Sequence, residues 1–273
     1  MSEIKDIIGA ISESNAEIVK EVYSDVAKPL VQPAGEVAGL IPRAVKAALA
    51  PLEKWILQRE YNIAETKKLL EEKLKNVKPE NITPPEAHVA VPALQYLSYC
   101  MDNEELRDMY ANLLANSMNS VIKKGVHPGF VEIIKQLSPD EAKVMKYFAK
   151  TPIVPTITVR YETSEGGYID KVKNFSNIGE LSGCEQPLDI NLYFDNLIRL
   201  GLLEASHLSH LTDKKHYEPL KSHPVIEAFS DQSIVTKNGY LKSTLEEGFM
   251  ARTDFGEAFC NICLSAADAS VDT

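Results

Sequence analysis

The chain has 273 residues, with 29 Lys and Arg against 39 Asp and Glu, a formal net charge of −10. That length is expected to hold two domains rather than one, and the charge repels nucleic acid and anionic membrane by default. No run approaches the ~20 uninterrupted apolar residues of a bilayer-spanning helix. The four cysteines, at positions 100, 184, 260 and 263, are too sparse for a disulfide framework and are expected to be reduced thiols in a cytoplasmic protein.

Residues 1–75 read as an N-terminal helical segment rich in small residues and proline. The opening MSEIKDIIGA mixes Glu3, Lys5 and Asp6 into its apolar residues and lacks a signal-peptide core. Ile4, Ile7, Ile8, Ile11, Ile18, Val19 and Val22 recur at three- and four-residue steps, the pattern of one apolar helix stripe. Prolines at 29, 33, 42 and 51 then interrupt it. Gly35-x-x-x-Gly39 matches a membrane packing motif, but Glu36 and the flanking prolines argue against insertion. Arg43, Lys46 and Lys54 share their segment with Val45, Leu49, Leu52 and Trp55, so residues 26–57 are a candidate for peripheral contact with the inner membrane. Trp55 to Leu74 resumes as a charged helix.

Residues 76–92 are predicted to be a proline-rich connector, since KPENITPPEAHVAVP carries four prolines. Residues 93–137 read as a helical subdomain. Asp102 is the expected cap, Glu104 and Glu105 occupy the positive first turn, and Leu106, Met109, Leu113 and Leu114 face inward. Gly125 is expected to end this helix, and a short one spans Phe130 to Leu137. Asn112, Asn116 and Asn119 form a polar row, expected to be exposed or interfacial.

Residues 138–264 are predicted to form a winged-helix-like α+β domain, followed by a flexible tail at 265–273. Ser138-Pro139-Asp140-Glu141 opens a helix: the serine caps, proline suits the first position, and Glu141 reaches back. Ile153 to Tyr161 and Tyr168 to Val172 read as strands around Glu165-Gly166-Gly167. Leu188 to Leu200 reads as a helix closed by Gly201, with Ile190, Phe194, Leu197 and Ile198 inward. Asn238-Gly239, between Ile234–Lys237 and Tyr240–Leu245, is the strongest short hairpin signal. Thr253 caps a last amphipathic helix. The fold expected for the whole chain is therefore mostly α with a smaller α+β part.

Several residues bear on chemistry. His207, His210, His216 and His223 crowd one segment, and imidazoles suit zinc, but no cysteine or carboxylate stands at a ligand spacing, so a solvated loop is the expectation. Cys260-x-x-Cys263 puts two thiols on one side of a helix, yet no second pair completes a metal site and packing is expected. His127 has no serine, cysteine or acid at a motif spacing and is expected to serve its turn. A winged helix invites a DNA interface in which Asn191, Asp195 and Arg199 line the exposed helix face and Lys237 and Asn238 sit at the wing tip. However, from Ser138 onward there are 13 basic and 20 acidic residues, a balance of −7, whereas a DNA-binding face is basic. The same five residues are then expected to contact protein.

The middle of the chain resembles the abortive infection alpha (Abi-alpha) family of bacteria. The likeness is carried by Asn81-Ile82-Thr83-Pro84-Pro85, by Asp102-Asn103-Glu104-Glu105-Leu106-Arg107 leading into Tyr110-Ala111-Asn112-Leu113-Leu114-Ala115, and above all by the stretch from His127-Pro128-Gly129 through Ser138-Pro139-Asp140-Glu141-Ala142. Asn196 to Leu202 and Thr253 to Cys260 are similar to later elements of the family; Asp254 stands where the family often has proline, a departure that touches only helix capping. The resemblance implies a role in defence against phage, encoded near other defence genes, with no catalytic residues to carry over. The reading reached is a non-enzymatic protein-interaction module in abortive infection, without cofactor, docking on a protein partner or a second copy rather than nucleic acid. The alternatives are a winged-helix transcriptional regulator and a toxic effector acting at the membrane.

Overall fold

The computed structural model describes residues 59–206 and 209–265. The expectations for residues 1–58, the membrane-contact segment 26–57 among them, lie outside the described residues, as do His207 and the tail from 266. Two units divide the chain: one runs to Lys135 and resumes at Ser265, the other is Gln136–Leu264.

The first unit is helical, with α1 (Arg59–Lys73), α2 (Ala87–Tyr99), α3 (Glu104–Met118) and α4 (Gly129–Lys135). Helix α3 is its centre: every residue from Met109 to Met118 is buried, and it packs against α1, α2 and α4. A helix buried all round must satisfy its polar side chains from within the protein. Asn112, Asn116 and Asn119 are accordingly buried, so of the expected exposed or interfacial row the exposed half does not hold. The Asn116 amide donates to the Ser265 carbonyl at 3.2 Å, and Asn119 Oδ1 accepts from the Val121 N–H at 3.0 Å.

Two boundaries differ from the sequence reading. The cap of α3 is Asn103, whose side chain accepts from the Leu106 N–H at 2.9 Å, so Asp102 stands one place too early. The helix ends at Met118, and Gly125 closes a separate single turn, Lys123–Gly125. The proline-rich stretch is also no free spacer. Thr83 N–H donates to the Met118 carbonyl and Ser120 N–H to the Asn81 carbonyl, both at 2.8 Å. Helix α2 begins inside the stretch and carries Pro92 in its interior; one proline forfeits one backbone bond, which burial of Val89, Ala90, Ala93 and Leu97 offsets.

The second unit holds α5 (Pro139–Lys150), β1 (Ile153–Glu162), β2 (Tyr168–Phe175), α6 (Ile178–Leu181), α7 (Ile190–Arg199) and β3 (Leu203–Ser206). After these come α8 (Glu218–Lys221), α9 (Pro224–Ser230), α10 (Gln232–Lys237), β4 (Lys242–Arg252) and α11 (Asp254–Phe259), which runs into a π-helical turn, Cys260–Leu264. The sheet is antiparallel in the order β2-β1-β4-β3. Pro155 stands opposite Phe249 of β4, and because pairing with β2 begins only at Ile157, no strand on that side asks for the missing N–H. The Ser138 capping box forms as its spacing predicts, with Ser138 N–H to Glu141 Oε2 at 2.6 Å and Glu141 N–H to the serine oxygen at 3.2 Å. Ala142, Val144, Met145 and Phe148 of α5 and Ile190, Phe194 and Leu197 of α7 are buried, and the Phe148 and Phe194 rings meet edge-on at 6.3 Å.

The expected hairpin at Asn238-Gly239 is absent. Ile234–Lys237 belongs to helix α10, which starts where the Asp231 side chain accepts from the Ser233 N–H at 2.8 Å. Gly239, at φ +83°, ends it: Gly239 N–H bonds the Thr236 carbonyl at 3.0 Å and Tyr240 N–H the Val235 carbonyl at 3.2 Å. That pair of bonds is a Schellman cap, and both a type I′ turn and such a cap ask for positive φ at the glycine. In place of a wing, the chain between β3 and β4 carries α8, α9 and α10, which pack on the sheet strands.

The tightest approach lies at α11. Thr253 Oγ1 accepts from the Gly256 N–H at 2.9 Å and donates to the Gly201 carbonyl at 2.6 Å, so Asp254 costs the helix no cap. A Cβ on Gly256 would lie 2.0 Å from the Leu202 carbonyl oxygen, a backbone atom that cannot swing aside. Gly256→Ala is therefore expected to destabilise the protein by about 3 kcal/mol or more, read as a lower urea midpoint or as loss of soluble protein.

Candidate functional site

The most elaborate polar site is built at the start of α5. Asp140 is the second residue of that helix and only 6% exposed. Its Oδ1 accepts the Glu185 N–H at 2.9 Å and Lys143 Nζ at 3.1 Å; its Oδ2 accepts the Gln186 N–H and the Tyr193 hydroxyl, each at 2.9 Å. Burial alone would raise the carboxyl's pKa, but the Gln186 and Glu185 donors, with Lys143 and Tyr193, outweigh it and hold it at about 2. Burial and the neighbouring Asp140 raise the Tyr193 phenol in turn, so the pair stays a charged acceptor and a neutral donor. Beside it, Glu141 Oε1 accepts from the Asn196 amide at 2.7 Å. Asn196 also donates to the Gln136 carbonyl at 3.1 Å, and Arg199 Nη1 to Gln136 Oε1 at 3.0 Å. These groups join α5, the 185–186 loop and α7.

The residues singled out for an interface fall as follows. Asn191, Asp195 and Arg199 are all on α7; Asp195 is exposed, and Arg199 also bonds Asn196 Oδ1 through Nε at 3.0 Å. Lys237 and Asn238 are exposed at the C-terminal end of α10 rather than at a wing tip. The structure thus supplies the helix row without the hairpin that was to accompany it.

The histidines do separate work. Among the described residues, no group of three His, Cys, Asp or Glu side chains is placed to hold a metal ion. His210 is exposed, and His216 is an exposed residue lining a cleft. His223 is structural: its Nδ1 accepts from the Val225 N–H at 3.2 Å to cap α9, which leaves the proton on Nε2, 3.1 Å from Glu180 Oε1. His127 likewise serves its turn, with Nδ1 accepting from the Gly129 N–H at 3.0 Å. Cys260 and Cys263 are buried; burial pushes the Cys260 thiol up to about 11 and raises Cys263 as well, and a protonated thiol is a poor nucleophile.

A surface feature missing from the sequence reading stands out on α6, the Pro187–Asp189 turn and α7. Leu181, Leu188 and Leu192 are 60%, 58% and 65% exposed. Gly179 brings their elements together, because a Cβ there would meet the Pro187 carbonyl oxygen at 2.3 Å, and Leu188 and Leu192 are one turn apart. Leu181 also lines a half-open cleft of about 430 Å³ with Tyr147, Ile153, Pro155, Asn177, Lys215 and His216. The signal was present: Leu188 and Leu192 are large apolar residues off the inward set of Ile190, Phe194 and Leu197. Asp140 left no such signal, since an acid in a first helical turn ordinarily satisfies only the dipole.

A family model described as Abortive infection alpha matches residues 58–263. Among solved structures, an uncharacterized protein from the hydrocarbon-degrading marine bacterium Alcanivorax borkumensis SK2 is similar at 17% identity and a TM-score of 0.36, over 50% of this chain and 92% of its own. No curated protein matches.

The Asp140 site predicts an acid limb to stability. Its folded pKa lies below the ordinary carboxyl value of 3.8, so its stabilisation is complete above roughly pH 4 and is lost as pH falls toward about 2. A shift of this size corresponds to about 2 kcal/mol. Asp140→Asn is expected to lower stability by that order at neutral pH and to flatten the loss between pH 4 and 2, both measured by urea unfolding across pH.

Proposed function

We propose, from the premise that the chain belongs to the abortive infection alpha family, that it acts in phage defence as a protein-docking module and that the second unit carries the docking face. Membership ties the chain to abortive infection in general terms. The observation that supports docking is the trio Leu181, Leu188 and Leu192, large apolar side chains more than half exposed on neighbouring elements. Exposed apolar side chains gathered in one patch mark interaction sites on protein surfaces. The residues around them supply hydrogen bonds that fix the backbone, rather than a nucleophile beside a base.

The regulator alternative draws on a weaker set of features. Order along the chain still fits a winged-helix-like scaffold: helix, two strands, helices, two strands and a closing helix, with three helices inserted where a wing would be. Phosphate contacts need free cations, whereas the exposed row on α7 offers Asp195 and an Arg199 already bonded to Asn196 and Gln136. No helix among the described residues is long and apolar enough to cross a membrane, and the peripheral-effector alternative rests on residues 26–57, outside the described part.

Two measurements test the proposal. Full-length protein in a low-salt electrophoretic shift is expected to form no discrete DNA complex; a tight, salt-sensitive one would transfer the reading to the regulator. Leu188→Gln with Leu192→Gln, both at the surface, is expected to change stability by about 0.5 kcal/mol or less per site while abolishing protection of cells against phage. Full protection by that stable double variant would overturn the docking face.

A further inference from the structure

The charge around the leucine face says what kind of partner fits it. From Asn174 to Ile198 the chain contains no Lys, Arg or His. Four acids lie in that stretch, all exposed: Glu180, Glu185, Asp189 and Asp195. Glu180 accepts a hydrogen bond from His223 Nε2, while Glu185, Asp189 and Asp195 make no ion pair among the described residues. The leucines are thus bordered by three carboxylates without an ion pair, and Lys215 and His216 stand only across the cleft that Leu181 lines.

Resting on the docking reading above, the geometry points to a basic amphipathic helix of a partner protein as the occupant of this face. Its apolar stripe lies on Leu181, Leu188 and Leu192, and its Lys or Arg residues stand against Glu185, Asp189 and Asp195. The receiving surface is itself helical, and side chains one turn apart form a ridge that interdigitates with the i, i+4 ridges of a second helix. Complementary charge beside the leucines sets orientation and speeds encounter. A second copy fits poorly, because an isologous contact would bring the same carboxylates against each other. An anionic bilayer and a nucleic acid are repelled by the same three groups.

The probes are two fluorescein-labelled helical peptides with leucine at i, i+3, i+4 and i+7, one with lysine at its other positions and one with glutamate. Each is titrated with full-length protein and followed by anisotropy. The lysine peptide is expected to saturate and the glutamate peptide not. Leu188→Gln with Leu192→Gln is expected to weaken the lysine peptide by about tenfold or more, and Glu185→Gln with Asp189→Asn and Asp195→Asn to flatten its salt dependence. Equal binding of both peptides overturns the inference. So does lysine-peptide binding that survives the leucine substitutions, since that is only general attraction to a chain of net charge −10. Concentration-dependent self-association that the leucine variant abolishes reassigns the face to a second copy and overturns it too. If the leucine variant loses phage protection while the wild-type protein ignores the lysine peptide, the docking reading stands and the basic helix falls.

Discussion

The second unit depends on a carboxylate that stays ionised in a place largely closed to water. An unpaired buried charge is costly by several kcal/mol, and Asp140 avoids this by accepting from two backbone amides, an ammonium and a phenol. Those donors come from sites three to fifty-three residues away in sequence, so one side chain settles where α5, the 185–186 loop and α7 lie with respect to each other. Glu141 and Asn196 repeat the device one residue along. The exposed leucines follow from this, because Leu188 and Leu192 lie on the loop and helix that Asp140 grips. Their chemistry is their own, but their position is inherited from a buried acid.

Much of the second unit was legible because its signals are local. Ser138, Pro139 and Glu141 act within one turn, β-branched residues marked β1, and Gly201 at φ +74° closes α7 as its place after the amphipathic run implied. What failed was a motif with two physical meanings. Asn238-Gly239 supplies a positive-φ glycine, which a hairpin and a helix end both want, and only Asp231 upstream, as the start of α10, decides between them. The role of Asp140 could not be assigned from sequence, because two of its partners are backbone amides that no residue type announces and the Tyr193 phenol comes from a distant helix.

The first unit shows the opposite problem. Asn112, Asn116 and Asn119 look like an outward polar row until α3 proves to be enclosed by other helices. Hydrophobic periodicity tells one face from another only when one of them meets water. For a central helix, buried amides report instead on backbone groups that need a partner, as the Ser265 carbonyl does. The prolines misled in a related way: they break helices statistically, yet Pro92 sits where tertiary packing is worth more than one backbone bond.

The three short helices between β3 and β4 have a bearing on how such a protein changes over time. Strand β4 pairs with β1 from Lys242 to Ala251, so the sheet does not need the intervening segment to hold its register. Lengthening a surface excursion carries a small entropic penalty, about 0.6 kcal/mol for each doubling. Residues 209–241 could therefore grow at their exposed turns, but Tyr217, Leu220, Ile226 and Val235 within them are buried in the core and, like the stretch from Asn174 to Ile198 roped to a single acid, have far less room to drift.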